Sequence, residues 1–531
     1  MVVFNCLPPT RRWRGLVAHE PLEALASGRV KDGGAVVKAL RIGRNRSGRK
    51  ALMATPIPQN QCPLTLGEIT RATGGTLFGG TDTLAVRGVG IDSRNLRPGA
   101  VFVAIRGATH DGHAYLAQVA KGGAAAAVVE RGRRAAMIPS VEVGDTLVAL
   151  GDIARFHLER ERAARAIPLL AVGGSAGKTT TKEIAAALVR ALFGSSLSTP
   201  GNLNNLVGVP MTVLTLTPDH RACVIECGTN VRGEMARLGA ILSPDVTLIV
   251  NVDVEHSEGL GSLESIADEE TSILRFTRRA AVVPFEDALV TARITAGLRR
   301  IGFGDSRRAD VRLISRLGTR DGYSKITIGL APALVAPNAP VSLAAELRML
   351  GPQAAINATA ALAAAAALWQ KPLTREQLES IERALNAIAP VEGRLSSRTI
   401  AGAIVIDDSY NSNPRSVRAA LSAADEAARI RKARLVIAMG DMLELGALSQ
   451  TAHAEMVREV ARLSPAVFVA VGPEIGAACR ADAEASNALL AADSDDAARI
   501  LRAILRTGDV LLVKGSRGLR MERIIEALER D

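Results

Sequence analysis

The sequence predicts an α/β protein of three domains, and three observations carry that prediction. Its 531 residues are 48% hydrophobic and 22% charged, the balance of an ordinary globular chain, and they outnumber what one hydrophobic core serves. Short apolar runs alternate with helical stretches from about Pro63 onward, the pattern of parallel sheets whose ligands sit at the strand carboxyl ends. One strand-to-helix junction, residues 173–183, reads GGSAGKTTTKE, a glycine turn followed by Lys and Thr at a helix start.

The elements follow in order. Residues 1–60 are expected to be a basic extension outside the folded part. Residues 1–52 hold eleven Lys or Arg against Glu20, Glu23 and Asp32, and most of the chain's net charge of +11 is there. Arg11-Arg12 is followed by GLVAHEPLEALASG, which is too polar for the apolar segment of an export signal. The stretch reads as disordered, or as translated sequence ahead of a true start at Met53. The small amino-terminal domain is placed at 61–165, with strands at Val101–Ile105 and Ala124–Glu130 and glycine pairs marking turns.

The central domain is placed at 166–390. IPLLAV (167–172) is a buried strand, TTTKEIAAALVRAL a long helix, and ACVIEC (222–227) and VTLIVNV (246–252) are further strands. An Ala-rich helix at 354–369 falls near its end. The carboxyl-terminal domain, 391–531, opens at Glu392-Gly393-Arg394. Its strands AIVIDD (403–408), LVIAMGD (435–441), VFVAVG (467–472) and VLLVKG (510–515) alternate with helices in a Rossmann-like order.

Several function classes are excluded by composition. Outside the tail the charge is nearly balanced, with no aromatic-plus-basic motif and no zinc-finger spacing, so no nucleic-acid partner is expected. Five cysteines without a C-x-x-C pair argue against zinc and disulfides, and Cys223 and Cys227 read as core. The longest apolar run, Ala360–Trp369, is too short to span a bilayer. A cytoplasmic monomer without membrane insertion is expected.

The glycine turn carries the clearest chemistry. Gly174, Ser175, Ala176 and Gly177 let backbone amides curl around phosphate, at a helix start whose dipole favours anions. Lys178 supplies positive charge to the β and γ phosphates, and Thr179 a hydroxyl for magnesium, with Thr180 beside it. Val172 stands where the general pattern has its first glycine, so the turn is shorter than usual. The central domain is therefore a P-loop ATPase domain with a parallel-rich sheet.

This short turn resembles that of the Mur ligase family of ATP-dependent amide ligases, with Gly173 where the family has Thr. The resemblance extends over residues 63–531. LTLGEITRATGG (64–75) and GVGIDSRNLRPGAVFVAIRGATHDGHAYLAQVAKGGAAAAVV, beginning at Gly88, are similar to the family's amino domain. TPGNLNNLVGVPMTVL (199–214) is similar to its muramoyl-peptide loop. IDDSYNSNPRSVRAAL (406–421), MGDMLELG (439–446) and VKGSRGLRMERIIEAL (513–528) resemble the carboxyl domain of its D-alanyl-D-alanine-adding branch.

The resemblance implies a reaction of peptidoglycan synthesis. ATP with magnesium phosphorylates the terminal carboxylate of a UDP-N-acetylmuramoyl-tripeptide, and the amine of D-alanyl-D-alanine displaces phosphate. It implies metal ligands at Thr179, Glu226 and His256, with Lys178 on the phosphates. Asn357 is implied near the adenine, Arg394 near the phosphates and Asp408 on the nucleotide. Ser93 and Arg94 suit the uridine diphosphate, and Asn202, Asn204 and Asn205 the muramoyl peptide. Tyr410, Asn411 and Asn413 are candidates for the dipeptide, as are Lys514, Ser516 and Arg517. An Asn-rich turn is also, more simply, a turn.

One position breaks the pattern. Relatives carry a Lys that takes up carbon dioxide as a carbamate and holds a second magnesium. The matching position here is Glu270, in GSLESIADEETSIL, and no Lys lies between residues 256 and 290. Three readings are open: Glu270 replaces the carbamate as a ready-made anion; Glu269 or Asp268 contributes instead; or the second metal site is weakened. Two other functions stay open beside the main one: another amino-acid ligase of the superfamily, and a nucleotide-binding relative with weakened catalysis.

Overall fold

The computed structural model describes residues 55–107, 110–253 and 260–530, so residues 1–54 of the expected extension, Cys6 and His256 lie outside the described residues, while Asn60, placed by the sequence in that extension, is buried and donates to the Val89 carbonyl at 2.8 Å. Three larger sheets organise the fold. In the amino-terminal domain, Val89–Gly90, Val101–Val103, Ala126–Glu130 and Ser140–Val143 run parallel, and Thr76–Phe78 closes the edge antiparallel.

The central sheet has nine strands. Leu169–Gly173 lies between Val246–Ile249 and Cys223–Glu226, both parallel to it. Three carboxyl ends therefore converge where a ligand of an open α/β sheet binds. Side chains alternate across this sheet with the two-residue period of a pleat. Leu170, Val172, Val224 and Leu248 pack under the helices Lys178–Phe193 and Gly351–Trp369. Leu169, Ala171, Cys223, Ile225 and Ile249 pack on the other face, in one core with the amino-terminal domain. Gly351–Trp369 is buried nearly all round, and its alanines let it lie close against Lys178–Phe193.

The sequence reading assigns no strand between residues 252 and 403. The structure has six there, five of which extend the central sheet: Ala280–Pro284, Arg299–Gly304, Val311–Gly318, Ser324–Leu330 and Ser342–Leu347. The last two pair antiparallel. Val311–Gly318 alternates weakly and is partly exposed along its length, so its apolar signal is diluted.

The carboxyl-terminal sheet runs in the order Ser396–Ile400, Ala403–Asp408, Val510–Lys514, Leu435–Gly440, Val467–Val471, Leu489–Ala491. All its pairs are parallel except the first, a hairpin. Among the described residues no helix is long and apolar enough to cross a membrane.

The four described cysteines are free and buried, and burial pushes the Cys223 thiol up to about 12. His157, on helix Thr146–Ala164, is 1% exposed and lies 3.2 Å from the Leu216 carbonyl through Nε2. Its Nδ1 faces Arg160, which donates to it, so the neutral ring with its proton on Nε2 satisfies both contacts. Burial lowers its pKa below the ordinary 6.5. The stability it contributes is present above that value and is lost as pH falls below it. The melting-temperature difference between the wild type and His157→Gln should therefore shrink between about pH 7.5 and 5.5. A constant difference would show that the ring does not stay neutral in the fold.

Candidate active site

The phosphate turn leaves the central strand at Gly173 and enters the helix at Lys178, with Gly174 and Gly177 at φ of 120° and 84°. A Cβ on Gly174 would stand 2.7 Å from the Asn251 carbonyl oxygen, so only glycine fits there. The structure corrects one expectation about this turn. The amides of Gly174, Ser175 and Ala176 point inward rather than toward an anion. They donate to Glu270 Oε2 (2.9 Å), the Asn251 carbonyl (2.9 Å) and Asn251 Oδ1 (2.9 Å). The shortened turn lies directly on the neighbouring strand end, and buried amides take the nearest acceptors. The helix start has no side-chain cap, so its first-turn amides, those of Thr179 and Thr180 among them, are left for phosphate.

Glu226 faces this turn from the adjacent strand end and is 1% exposed. Its Oε1 accepts from the Thr179 hydroxyl (3.0 Å) and from Asn204 Nδ2 (2.8 Å). Its Oε2 is buried with no hydrogen-bond partner among the described residues. A buried anionic oxygen without a donor, beside the Thr179 hydroxyl, suits a hard cation such as magnesium. Among the described residues no three His, Cys, Asp or Glu side chains form a ready metal cluster.

The acid run at 268–270 lies on helix Leu263–Thr271, and its three members part ways. Asp268 is exposed and pairs with Arg293 at 2.7 Å. Glu269 is buried and caps helix Glu234–Leu242, accepting from the amides of Gly233 (2.7 Å) and Met235 (2.8 Å). Glu270 is buried and reaches the phosphate turn through Gly174. Of the three acids only Glu270 bonds that turn, which favours it over Glu269 and Asp268 for the place of the carbamate.

The opposite wall of the cleft comes from the carboxyl-terminal domain. Arg394, Asp408, Tyr410, Asn411, Asn413 and Lys514 line it together with Asn202, Asn204, Asn205 and Asn357 of the central domain. Asp408 and Lys514 are register partners on adjacent strands, and the buried ammonium donates to Asp408 Oδ2 (2.6 Å) and to the Asn411 carbonyl (2.9 Å). Arg394 lies over the Tyr410 ring at 4.1 Å, and Arg517 is also close to that ring, at 5.0 Å. Burial pushes the phenol above its ordinary 10, so Tyr410 is a hydroxyl donor and not a base. Asn357 packs against the turn, within 3.2 Å of where a Gly177 Cβ would be, and accepts from Gln353.

Some expected residues prove to be occupied locally. Asn205 Oδ1 accepts from the amides of Val207 and Gly208, and Asn413 forms a capping box with Ser416 at helix Pro414–Arg431. These two side chains serve helix starts while lining the cleft, as Asn does at such positions. Asn202 accepts from the Thr55 hydroxyl at 2.9 Å. Ser516 donates weakly to the Ser412 carbonyl and accepts from the Leu443 amide. Ser93 and Arg94 are not among the residues lining this cleft. Arg94 is exposed and bonds Asp92 through Nε and Nη2, both at 2.8 Å.

Two residues of consequence escape the sequence reading. Asn251 clamps the turn with both ends of its amide, donating to the Ala176 carbonyl at 2.6 Å. Lys182, fully buried, donates to the Thr199 carbonyl at 2.7 Å, and Thr199 Oγ1 accepts from the Glu226 amide at 2.8 Å. A polar residue ending an apolar strand, and a Lys on the buried face of a helix, were the available signals.

Fold and cleft together define a phosphate-loop α/β enzyme whose site is shared by two domains. The chain belongs to the Mur ligase family: residues 172–365 match the Mur ligase middle domain, 393–517 the Mur ligase, glutamate ligase domain, and 85–190 the Mur ligase family, catalytic domain. The UDP-N-acetylmuramoyl-tripeptide–D-alanyl-D-alanine ligase of Escherichia coli (strain K12) is 32% identical over 476 residues, which are 88% of this chain and 98% of that one. A crystal structure of MurF from Acinetobacter baumannii superposes with a TM-score of 0.77 at 30% identity, covering 88% of this chain and 99% of the other. MurF ligase from Thermotoga maritima in complex with ADP, at 24% identity and a TM-score of 0.70, shares the fold.

Proposed function

We propose that this protein is the ATP-dependent ligase that joins UDP-N-acetylmuramoyl-tripeptide to D-alanyl-D-alanine, forming the pentapeptide precursor of peptidoglycan in the cytoplasm. The observation that carries the reading is the double hold on Glu226. A phosphate-turn hydroxyl touches it from one side and the Asn-loop amide from the other. This supports a triphosphate and a peptide carboxylate meeting at one carboxylate, whose second oxygen is buried without a hydrogen-bond partner among the described residues. Near full-length similarity to ligases of that name supports the choice of substrates.

The chain's residues divide the work. A substrate carboxylate oxygen attacks the γ-phosphorus and ADP leaves. The dipeptide ammonium first loses a proton to solvent, the amine attacks the acyl carbon, its nitrogen gives up a second proton to solvent, and phosphate departs with the electron pair of the broken C–O bond. Two anions meet in the first step, so positive charge and alignment dominate catalysis. Lys178 and the first-turn amides hold the phosphates, with Arg394 facing them from the other domain. Asn357 and Asp408 bind the nucleotide, and Asn202 and Asn204 orient the muramoyl peptide. Ser93 and Arg94 take the uridine diphosphate, and Tyr410 and Asn411 border the dipeptide. Thr179, Glu226, His256 and Glu270 are the residues that would hold magnesium, which would supply charge neutralisation when bound.

Phosphate release should require ATP, UDP-N-acetylmuramoyl-tripeptide and D-alanyl-D-alanine together, measured by leaving out each in turn. Full turnover with a different amino-acid acceptor would overturn the substrate assignment, and nucleotide binding without turnover would overturn the enzyme.

A further inference from the structure

A zwitterionic dipeptide needs a cation for its terminal carboxylate. Among the described residues, four cations line the cleft: Lys178, Arg394, Arg415 and Lys514. Lys178 belongs to the phosphate turn. Lys514 is buried and already held by Asp408 and the Asn411 carbonyl. Arg394 is laid over the Tyr410 ring. Arg415 is different. It is the second residue of helix Pro414–Arg431, its side chain is 40% exposed, and it reaches Asp253 of the central domain at 3.3 Å. An ion pair so open to solvent is held weakly, and a substrate carboxylate competes for it readily.

A second, independent observation marks the same place. Ser412, which also lines the cleft, is 3% exposed, and its buried hydroxyl has no hydrogen-bond partner among the described residues. The 18-residue helix that starts two positions later directs its positive end there. Tyr410 and Asn411 are on the same stretch of chain.

We infer that Arg415, with the Ser412 hydroxyl three positions before it in the chain, receives the free α-carboxylate of the acceptor peptide and selects for it. This inference rests on the ligase function proposed above. Asp253 holds the guanidinium in place until the acceptor arrives. Arg415 contacts substrate without taking part in bond making, so its loss should weaken acceptor binding and leave nucleotide binding alone.

The test compares D-alanyl-D-alanine with D-alanyl-D-alanine amide, whose carboxylate is masked. KM and kcat are measured for the wild type, Arg415→Met, Arg415→Lys and Arg517→Met. The wild type should prefer the free acid by about a hundredfold in kcat/KM. Arg415→Met should raise KM for the dipeptide about 30-fold, with KM for ATP and for the nucleotide-peptide unchanged. Its preference for the acid should fall to within about threefold, while Arg415→Lys keeps most of the preference. Retained discrimination in Arg415→Met, its loss in Arg517→Met instead, or a parallel rise of all three KM values would overturn the assignment. No phosphate release by the wild type with all substrates would overturn the ligase function and this inference together.

Discussion

Glu226→Gln should lower kcat/KM for phosphate release by about 10³-fold. The substitution is chosen because it keeps shape and contacts. Gln still accepts from the Thr179 hydroxyl and from Asn204 through its amide oxygen, and the strand and Asn loop around it are undisturbed. What is lost is the negative charge on Oε2, the buried oxygen with no partner. If that oxygen is a cation ligand, Mn²⁺ binding measured by electron paramagnetic resonance in the presence of ADP should weaken in parallel with activity. The melting temperature should change little or rise, because a buried unpaired charge is removed. Near wild-type turnover in this variant would show that Glu226 only braces the loop.

Glu270 is the second large effect, and its two roles are separable. It accepts a hydrogen bond from the Gly174 amide, and deleting it leaves a buried donor unsatisfied, at about 1–3 kcal/mol. Glu270→Ala should therefore lose both stability and activity. Glu270→Gln keeps an acceptor for Gly174 and loses only the charge. If Glu270 stands permanently where relatives use a carbamylated Lys, Glu270→Gln should fold normally, bind Mn²⁺ more weakly and turn over about 10²-fold more slowly. Wild-type activity should be indifferent to added bicarbonate, because the anion is already in the side chain. A fully active Glu270→Gln would reduce Glu270 to a clamp on the phosphate turn.

Much of the cleft was legible because its chemistry is local in sequence. The phosphate turn needs contiguous residues: glycines that admit positive φ, then Lys and Thr on the first helical turn. Glu226 was legible from its place at the end of a β-run, where open α/β sheets present ligands. Most strands of the two larger domains that are buried on both faces were legible, since a β-branched run then stands out, but Ala280–Pro284, equally buried, was missed. The antiparallel strands between 311 and 347 were not, because solvent on one face breaks the run. Asn205 and Asn413 line the cleft and also hold amides at helix starts, and sequence order does not tell these two uses of an Asn apart.

By itself the sequence determined the α/β class, the family, the phosphate turn and the identity of the odd position, Glu270, in its acid run. The tertiary structure decided what each acid in that run does. Three consecutive helical residues point about 100° apart, so their partners come from three different elements. For Asp268, itself exposed, the partner is Arg293, for Glu269 the start of helix Glu234–Leu242, and for Glu270 the phosphate turn. It likewise decided that the amides of Gly174, Ser175 and Ala176 face inward, because Asn251 and Glu270, about 75 and 95 residues away in the chain, supply nearer acceptors. Contacts across such separations exist only after the sheet has formed, and nothing in the local spacing encodes them.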